Sequence, residues 1–232
     1  MVDRGPASQP SFEEDLRRIV GLEAEWVRTA VGNGNQERIR VFGSENAASA
    51  QGFYAWNGIL ASLTLTVQSF GWVRQDPRSL PILIERNRKN ILFISSGDEY
   101  TGLTGIGKPG SRNPKGAIVE ALAQQNKKLL GDELTLDLNV PSDAQKSTEY
   151  KFMEELLGYT TYVLLVHFSK RDREARYEVS RLDGLSTSGG CLSVQRPRLI
   201  APAYPLTAGD FDSNDPNEGF DGPKNYPVRP KS

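Results

Sequence analysis

The sequence predicts a single-domain α+β fold with a mixed, mostly antiparallel sheet, about four helices and a disordered C-terminal tail. Three observations predict it. Apolar runs of strand length stand at 81–85, 90–95 and 159–168, helix-start signals stand at Ser11 and Asn113, and Pro, Gly, Asn and Asp dominate from Ala203 onward. The 232 residues are enough for one domain to bury its own core. The predicted divisions are a flexible N-terminus over 1–10, a globular domain over 11–202 and a tail over 203–232.

Taken in order, Ser11 followed three positions later by Glu14 forms a capping box, and a helix over 12–30 follows. Leu16, Ile19, Val20, Trp26, Val27 and Ala30 recur on one face of it. Gly32, Asn33, Gly34 and Asn35 end that helix, and 38–42 reads as a short strand. Ser44 is placed to cap a helix over 46–60. Leu63, Leu65 and Val67 then alternate with Thr64, Thr66 and Gln68, the spacing of a strand. No charged side chain occurs between Asn46 and Val73, yet Gln51, Asn57, Gly58 and Gln68 interrupt the run, so it is no membrane span. Its leading reading is a buried segment, and its other reading is a surface that faces a partner.

The runs 81–85 and 90–95 have hairpin spacing around Arg86, Asn87, Arg88 and Lys89. A glycine-rich loop covers 97–112, after which Asn113 as N-cap and Pro114 as first residue open a helix to 130 that buries Ile118, Leu122 and Leu129. Alternation over 133–140 predicts a strand, and 147–157 a short helix. The run 159–168 is apolar and β-branched throughout, the pattern of a central strand buried on both faces. In 173–182, Ala175, Tyr177 and Val179 alternate with Glu174, Arg176, Glu178 and Ser180, which predicts an antiparallel neighbour with one wet face.

Composition narrows the function classes. One cysteine, Cys191, and one histidine, His167, exclude an internal disulfide and a Cys/His zinc set. A reducing, cytoplasmic compartment is expected, because the N-terminus with Asp3 and Arg4 lacks the layout of a signal peptide. The chain's net charge is −1, and arginine outnumbers lysine 18 to 10, a bias that suits bidentate contacts to carboxylates and phosphates.

The segment from Gly102 to Lys108 matches a phosphate-binding P-loop up to its lysine. Pro109 then stands where Ser or Thr is needed, so the reading that remains is a looser anion nest with Lys108, Arg112 and Lys115. Asp98 and Glu99 lie just past an apolar strand, where carboxylates often hold a divalent metal. Glu149 and Lys151 have the acid-x-lysine spacing of metal-dependent nucleases, with Asp137 and Asp143 upstream. His167 lies in an apolar strand and reads as structural. Basic clusters at 86–89, 108–115, 170–176 and 196–198 can form a polyanion-binding patch, with Arg171 and Arg173 among its ligand-binding candidates.

These observations predict a non-catalytic binding or assembly subunit that contacts a nucleotide, nucleic acid or other polyanion through the glycine-rich loop and the arginine clusters. A protein partner or a second copy of the chain is expected, with no membrane and no cofactor. The alternative is a magnesium-dependent phosphodiesterase or nuclease, with Asp98 and Glu99 as metal ligands, or Asp137, Glu149 and Lys151 as the catalytic set.

Overall fold

The computed structural model describes residues 11–42, 46–47, 49–105, 107–130, 154–186 and 190–210. Helix α1 (Phe12–Asp15) starts on the predicted cap, with the Ser11 hydroxyl accepting from the Glu14 amide at 3.3 Å. It passes into a π-helical turn, Leu16–Val20, and stops at Gly21, whose φ of 88° is left-handed. A new helix, α2 (Ala24–Ile39), then begins. The expected helix over 12–30 is therefore two helices. The break lets Leu16, Val20 and Leu22 all be buried. The freed carbonyls find partners, since the Asn90 side-chain amide donates to Ile19 and Val20 and the Arg88 guanidinium donates to Arg18.

Helix α2 runs straight through the Gly-Asn-Gly-Asn segment that was expected to end it, and it occupies the start of the expected strand over 38–42. Tertiary packing overrides the low helix propensity of those residues. A Cβ on Gly34 would stand 2.3 Å from Ile59 Cγ1 and 2.7 Å from the Ala55 carbonyl oxygen of helix α3 (Ala50–Gln68). The missing side chain is thus what lets the two helices touch. The strand expected from Leu63 is the second half of α3. Helical and strand spacing both bury Leu63 and Val67, but Leu65 is 72% exposed, as only the helix allows.

Gly34→Ala should therefore lower stability by about 3 kcal/mol or more, a fall in Tm of roughly 6–12 °C. Gly52→Ala in α3 meets nothing within 4 Å and should be neutral or stabilising by up to about 1 kcal/mol. Equal urea midpoints for the two variants would refute close packing at Gly34.

Among the described residues the sheet has seven strands: β1 (Val73–Gln75), β2 (Ile82–Glu85), β3 (Asn90–Ser96), β4 (Thr160–Ser169), β5 (Glu174–Leu185), β6 (Leu192–Ile200) and β7 (Tyr204–Pro205). Strands β1 to β6 lie in sequence order, and β7 pairs with the start of β5. Every pairing is antiparallel except β3 with β4. The expected hairpins β2–β3 and β4–β5 are present, and β4 is central. A parallel pair needs a crossover, and helix α4 (Ala117–Leu129) lies on the connection between β3 and β4.

Alternating side chains send Leu92, Ile94, Leu164, Val166, Tyr177 and Val179 into a core shared with α1 to α3. The other face, with Ile91, Phe93, Val163, Leu165 and Leu182, packs on Val119, Leu122 and Ala123 of α4. The result is an α+β domain with helices on both faces of one mixed sheet.

Helix α4 begins three residues later than expected, with Gly116 as its cap, and Leu129 is 48% exposed rather than buried. Its inner face at that end is polar. The buried Asn126 amide donates to the carbonyls of Thr161 at 2.8 Å and Leu182 at 2.7 Å and accepts from the Thr161 amide at 2.8 Å, joining α4 to β4 and β5. The expected strand over 133–140 and most of the helix over 147–157 lie outside the described residues.

Two further corrections concern the C-terminal third. Strand β5 has no wet face in its first half, because Arg176, Glu178 and Ser180 are buried along with Ala175, Tyr177 and Val179. Residues 204–210, placed in the tail by their Pro and Gly content, belong to the domain as β7 and a 3₁₀ turn, with Leu206 only 7% exposed. No helix among the described residues is long and apolar enough to cross a membrane.

Candidate functional site

Because β3 and β4 are parallel, their carboxyl ends open on the same edge of the sheet, where crevices for ligands arise in sheets of this kind. The glycine-rich loop leaves from β3, and the 170–173 turn leaves from β4. Backbone bonds fold the loop back on itself: Asp98 N–H donates to Gly110 O at 3.0 Å and Arg112 N–H donates to Ser96 O at 2.9 Å, with a bridge between Gly97 and Ser111. Asp98 ties the loop from inside. Its carboxylate accepts from the Gly110 amide at 2.8 Å, the Tyr100 amide at 3.1 Å and the Thr101 hydroxyl at 3.4 Å. Burial nevertheless raises its pKa above the ordinary aspartate value.

The loop is anchored on β5 through Glu178, a carboxylate with no exposure to water. Arg198 grips it with two bonds, Nε to Oε1 at 3.0 Å and Nη2 to Oε2 at 2.6 Å, and the Ser180 hydroxyl donates at 2.6 Å. The Gly102 amide supplies a fourth bond at 2.9 Å, and Arg198 also donates to Leu103 O at 3.1 Å. Gly102 takes a φ of 72°, and a Cβ there would stand 2.9 Å from Arg176 Cβ. A left-handed backbone pressed this closely against a strand favours glycine.

Beside this anchor, on the α4 side of the sheet, three cationic or titratable groups gather. His167 pairs across the strands with Arg176 and is half-buried. Its pKa is held below the ordinary histidine value by burial first and by the charges of Arg176 and Arg112, against a hydrogen bond that the ring donates to the Gly97 backbone and the charge of Glu99. The imidazole is therefore neutral at pH 7. Arg176 is 8% exposed, and its buried Nε has no hydrogen-bond partner among the described residues. It forms long ion pairs with Glu174 at 3.8 Å and Asp172 at 3.9 Å, both beyond hydrogen-bond reach. Asp172 already accepts from the Ser169 hydroxyl at 2.8 Å.

The predicted site residues separate in space. Arg112 is exposed and its charge reaches His167. Lys108 is exposed on the loop, and Arg171 and Arg173 are exposed on the turn at the same end of the sheet. Lys115 departs from this group: its backbone amide donates to Gly190 O at 2.9 Å, and burial lowers its pKa, against the charge of Cys191. The cluster at 86–89 lies at the opposite end, in the β2–β3 turn.

Glu99 is exposed, and Asp98 spends its oxygens within the loop. Among the described residues no group of three His, Cys, Asp or Glu side chains is placed to hold a metal ion. Asp137, Asp143, Glu149 and Lys151 lie outside the described residues. The P-loop resemblance fails in space too, since α4 starts at Ala117, well past Lys108.

Arg176 and Arg198 enter the sequence reading as members of the basic clusters at 170–176 and 196–198, and Glu178 only as a polar position of the β5 alternation, which reads the same whether the polar face meets water or a covering loop. A separate hollow of about 220 Å³ lies on the α1–α2 side, lined by Phe12, Arg17, Glu23, Arg28 and Tyr177, but Arg17 and Glu23 already satisfy each other at 2.6 Å. Comparison of the chain with family models, curated proteins and solved structures finds no match.

Proposed function

We propose that this protein is a non-catalytic, cytoplasmic binding subunit that grips phosphate groups of an anionic ligand at the mouth formed by Arg112, His167 and Arg176. The observation that carries this reading is the buried Arg176 guanidinium, whose Nε has no hydrogen-bond partner among the described residues. A buried donor left unmade costs about 1–3 kcal/mol, and an anion at the mouth would give the guanidinium hydrogen bonds that Glu174 and Asp172, at 3.8 and 3.9 Å, do not make. Arg112 adds a second fork from the loop, and His167 adds a donor that becomes cationic on acidification. The exposed Lys108, Arg171 and Arg173 extend the positive edge.

The shared chemistry is phosphate, whether of a free nucleotide or of a nucleic-acid backbone. Two probes separate the sources: inorganic pyrophosphate by calorimetry, and a labelled single-stranded oligonucleotide of about 20 nucleotides by anisotropy. Arg112→Ala should weaken binding about tenfold and reduce the salt slope by about one. Arg176→Met should do the same while keeping the side-chain volume. Affinity for the oligonucleotide, whose backbone phosphates do not titrate in this range, should rise as pH falls below the ordinary histidine value, because the phosphate favours the charged imidazole that burial, Arg176 and Arg112 disfavour in the free protein. His167→Asn should flatten that rise.

Tight binding of pyrophosphate indicates a nucleotide-sized ligand, and binding of the oligonucleotide alone indicates a backbone. Failure of both probes at about 50 mM salt would end the proposal. Magnesium-dependent cleavage abolished by Asp98→Ala would replace it with the phosphodiesterase reading.

A further inference from the structure

The geometry points to self-association of this chain through the outer face of α3, a conclusion that does not depend on the anion site. Tyr54, Asn57, Ala61, Leu65 and Gln68 are all exposed and form one stripe along the helix. Tyr54 is 41% and Leu65 72% exposed, and Phe53 and Phe70 flank the two ends at 58% and 59%. Phe70 already stacks on Trp26, with ring centroids 4.3 Å apart, and leaves its other face open.

Charge selects the occupant. Nothing between Asn46 and Val73 is charged, whereas the outer faces of the other helices carry Glu13, Glu14, Arg17 and Arg18 on α1 and its π turn, Glu25, Arg28 and Arg40 on and just after α2, and Glu120 and Lys128 on α4. A partner that buries α3 without stranding a charge must offer an uncharged face of its own. Among the described helices the one such face is α3 itself, so the fitting partner is a second copy.

The spacing of the stripe also admits a two-fold. Its positions are symmetric about Ala61, with Asn57 and Leu65 four residues away on either side and Tyr54 and Gln68 seven away. An isologous two-fold through Ala61, with antiparallel helices, sets Tyr54 opposite the copy's Gln68 and Asn57 opposite the copy's Leu65. The small side chain at the axis lets the helices approach. A 19-residue helix is about 28 Å long, so this contact falls below the roughly 800 Å² per partner of a standard interface. A dimer of moderate, concentration-dependent affinity is the result.

Sedimentation velocity on the full chain tests this between about 1 and 200 µM, in low salt and in about 1 M salt. The mass should climb from 25.6 kDa toward twice that value and persist in high salt, because the contact contains no charge. Ala61→Arg, at the axis, and Leu65→Glu should each weaken association at least about 100-fold, with Tm unchanged under conditions where the wild type is monomeric too, since both positions are exposed in the monomer. Leu129→Glu, on exposed α4 surface, should leave it intact. A chain that stays monomeric at the highest concentration overturns the inference, and so does a dimer indifferent to both α3 variants.

Discussion

Glu178→Ala should destabilise the protein by about 3–5 kcal/mol and release the glycine-rich loop. The carboxylate has no exposure and four donors, and Arg198, only 19% exposed at its side chain, has no other acid partner among its described contacts. Removing Glu178 strands a buried guanidinium, a larger penalty than the pair's net worth. Replacing both residues by Met should recover most of that loss, because it removes the charge together with its partner.

The double variant should still lack the tethers to Gly102 and Leu103. Two readouts therefore part company. Urea unfolding tracks the buried charge, whereas hydrogen exchange at the Gly102 amide and oligonucleotide affinity track the loop. Single and double variants of equal stability, or a Gly102 amide still protected in Glu178→Ala, would show that Glu178 does not anchor the loop.

The same residue shows what a linear reading can and cannot reach. Strands β2, β3, β4 and β5 are legible because their patterns are local and strong: continuous apolar runs in β3 and β4, alternation in β5, and short basic turns between them. Helices α2 and α3 are misread where local chemistry and tertiary packing disagree. Gly34 looks like a stop signal unless Ile59 is known to lie against it. The alternation at Leu63, Leu65 and Val67 imitates a strand until the exposure of Leu65 decides the period.

The loop itself is legible as the place for function, from its glycines and its position after an apolar strand. Its chemistry is not. Glu178 and Arg198 are twenty residues apart and neighbours only through the β5–β6 register. His167 and Arg176 meet across the β4–β5 hairpin, so the spacing of the histidine within its apolar strand hides its cationic company. Of the loop's basic residues, the charge of Arg112 reaches the histidine, while Lys115 is half-buried within electrostatic reach of Cys191.

A chain ending at Pro202 should lose more than about 5 kcal/mol, and roughly 10–20 °C in Tm, contrary to the tail-like composition of residues 203–232. Leu206 contributes about 1.5–3 kcal/mol by burial. The larger share lies in Asp210. Its carboxylate accepts from the buried Asn35 amide at 2.8 Å and from the Thr207 hydroxyl at 2.9 Å, and its carbonyl accepts from Arg38 at 2.6 Å. Arg38 is 6% exposed and lies over the ring of Phe168 at 4.9 Å, so loss of Asp210 removes an acid that faces this buried charge.

Acid should reproduce part of this loss. Burial pulls the Asp210 carboxyl up, but the Thr207 amide, the Asn35 amide, the Thr207 hydroxyl and the Arg38 charge together hold it below the ordinary aspartate value. Its stabilisation is therefore complete above the unfolded value of about 3.9 and is lost as pH falls through the lowered folded value. The gap in Tm between the full chain and Asp210→Asn should narrow in that window. A chain ending at Asp210 keeps all of these contacts and should melt within a few degrees of the full chain. If the chain ending at Pro202 melts there too, the 204–210 segment adds nothing to the fold.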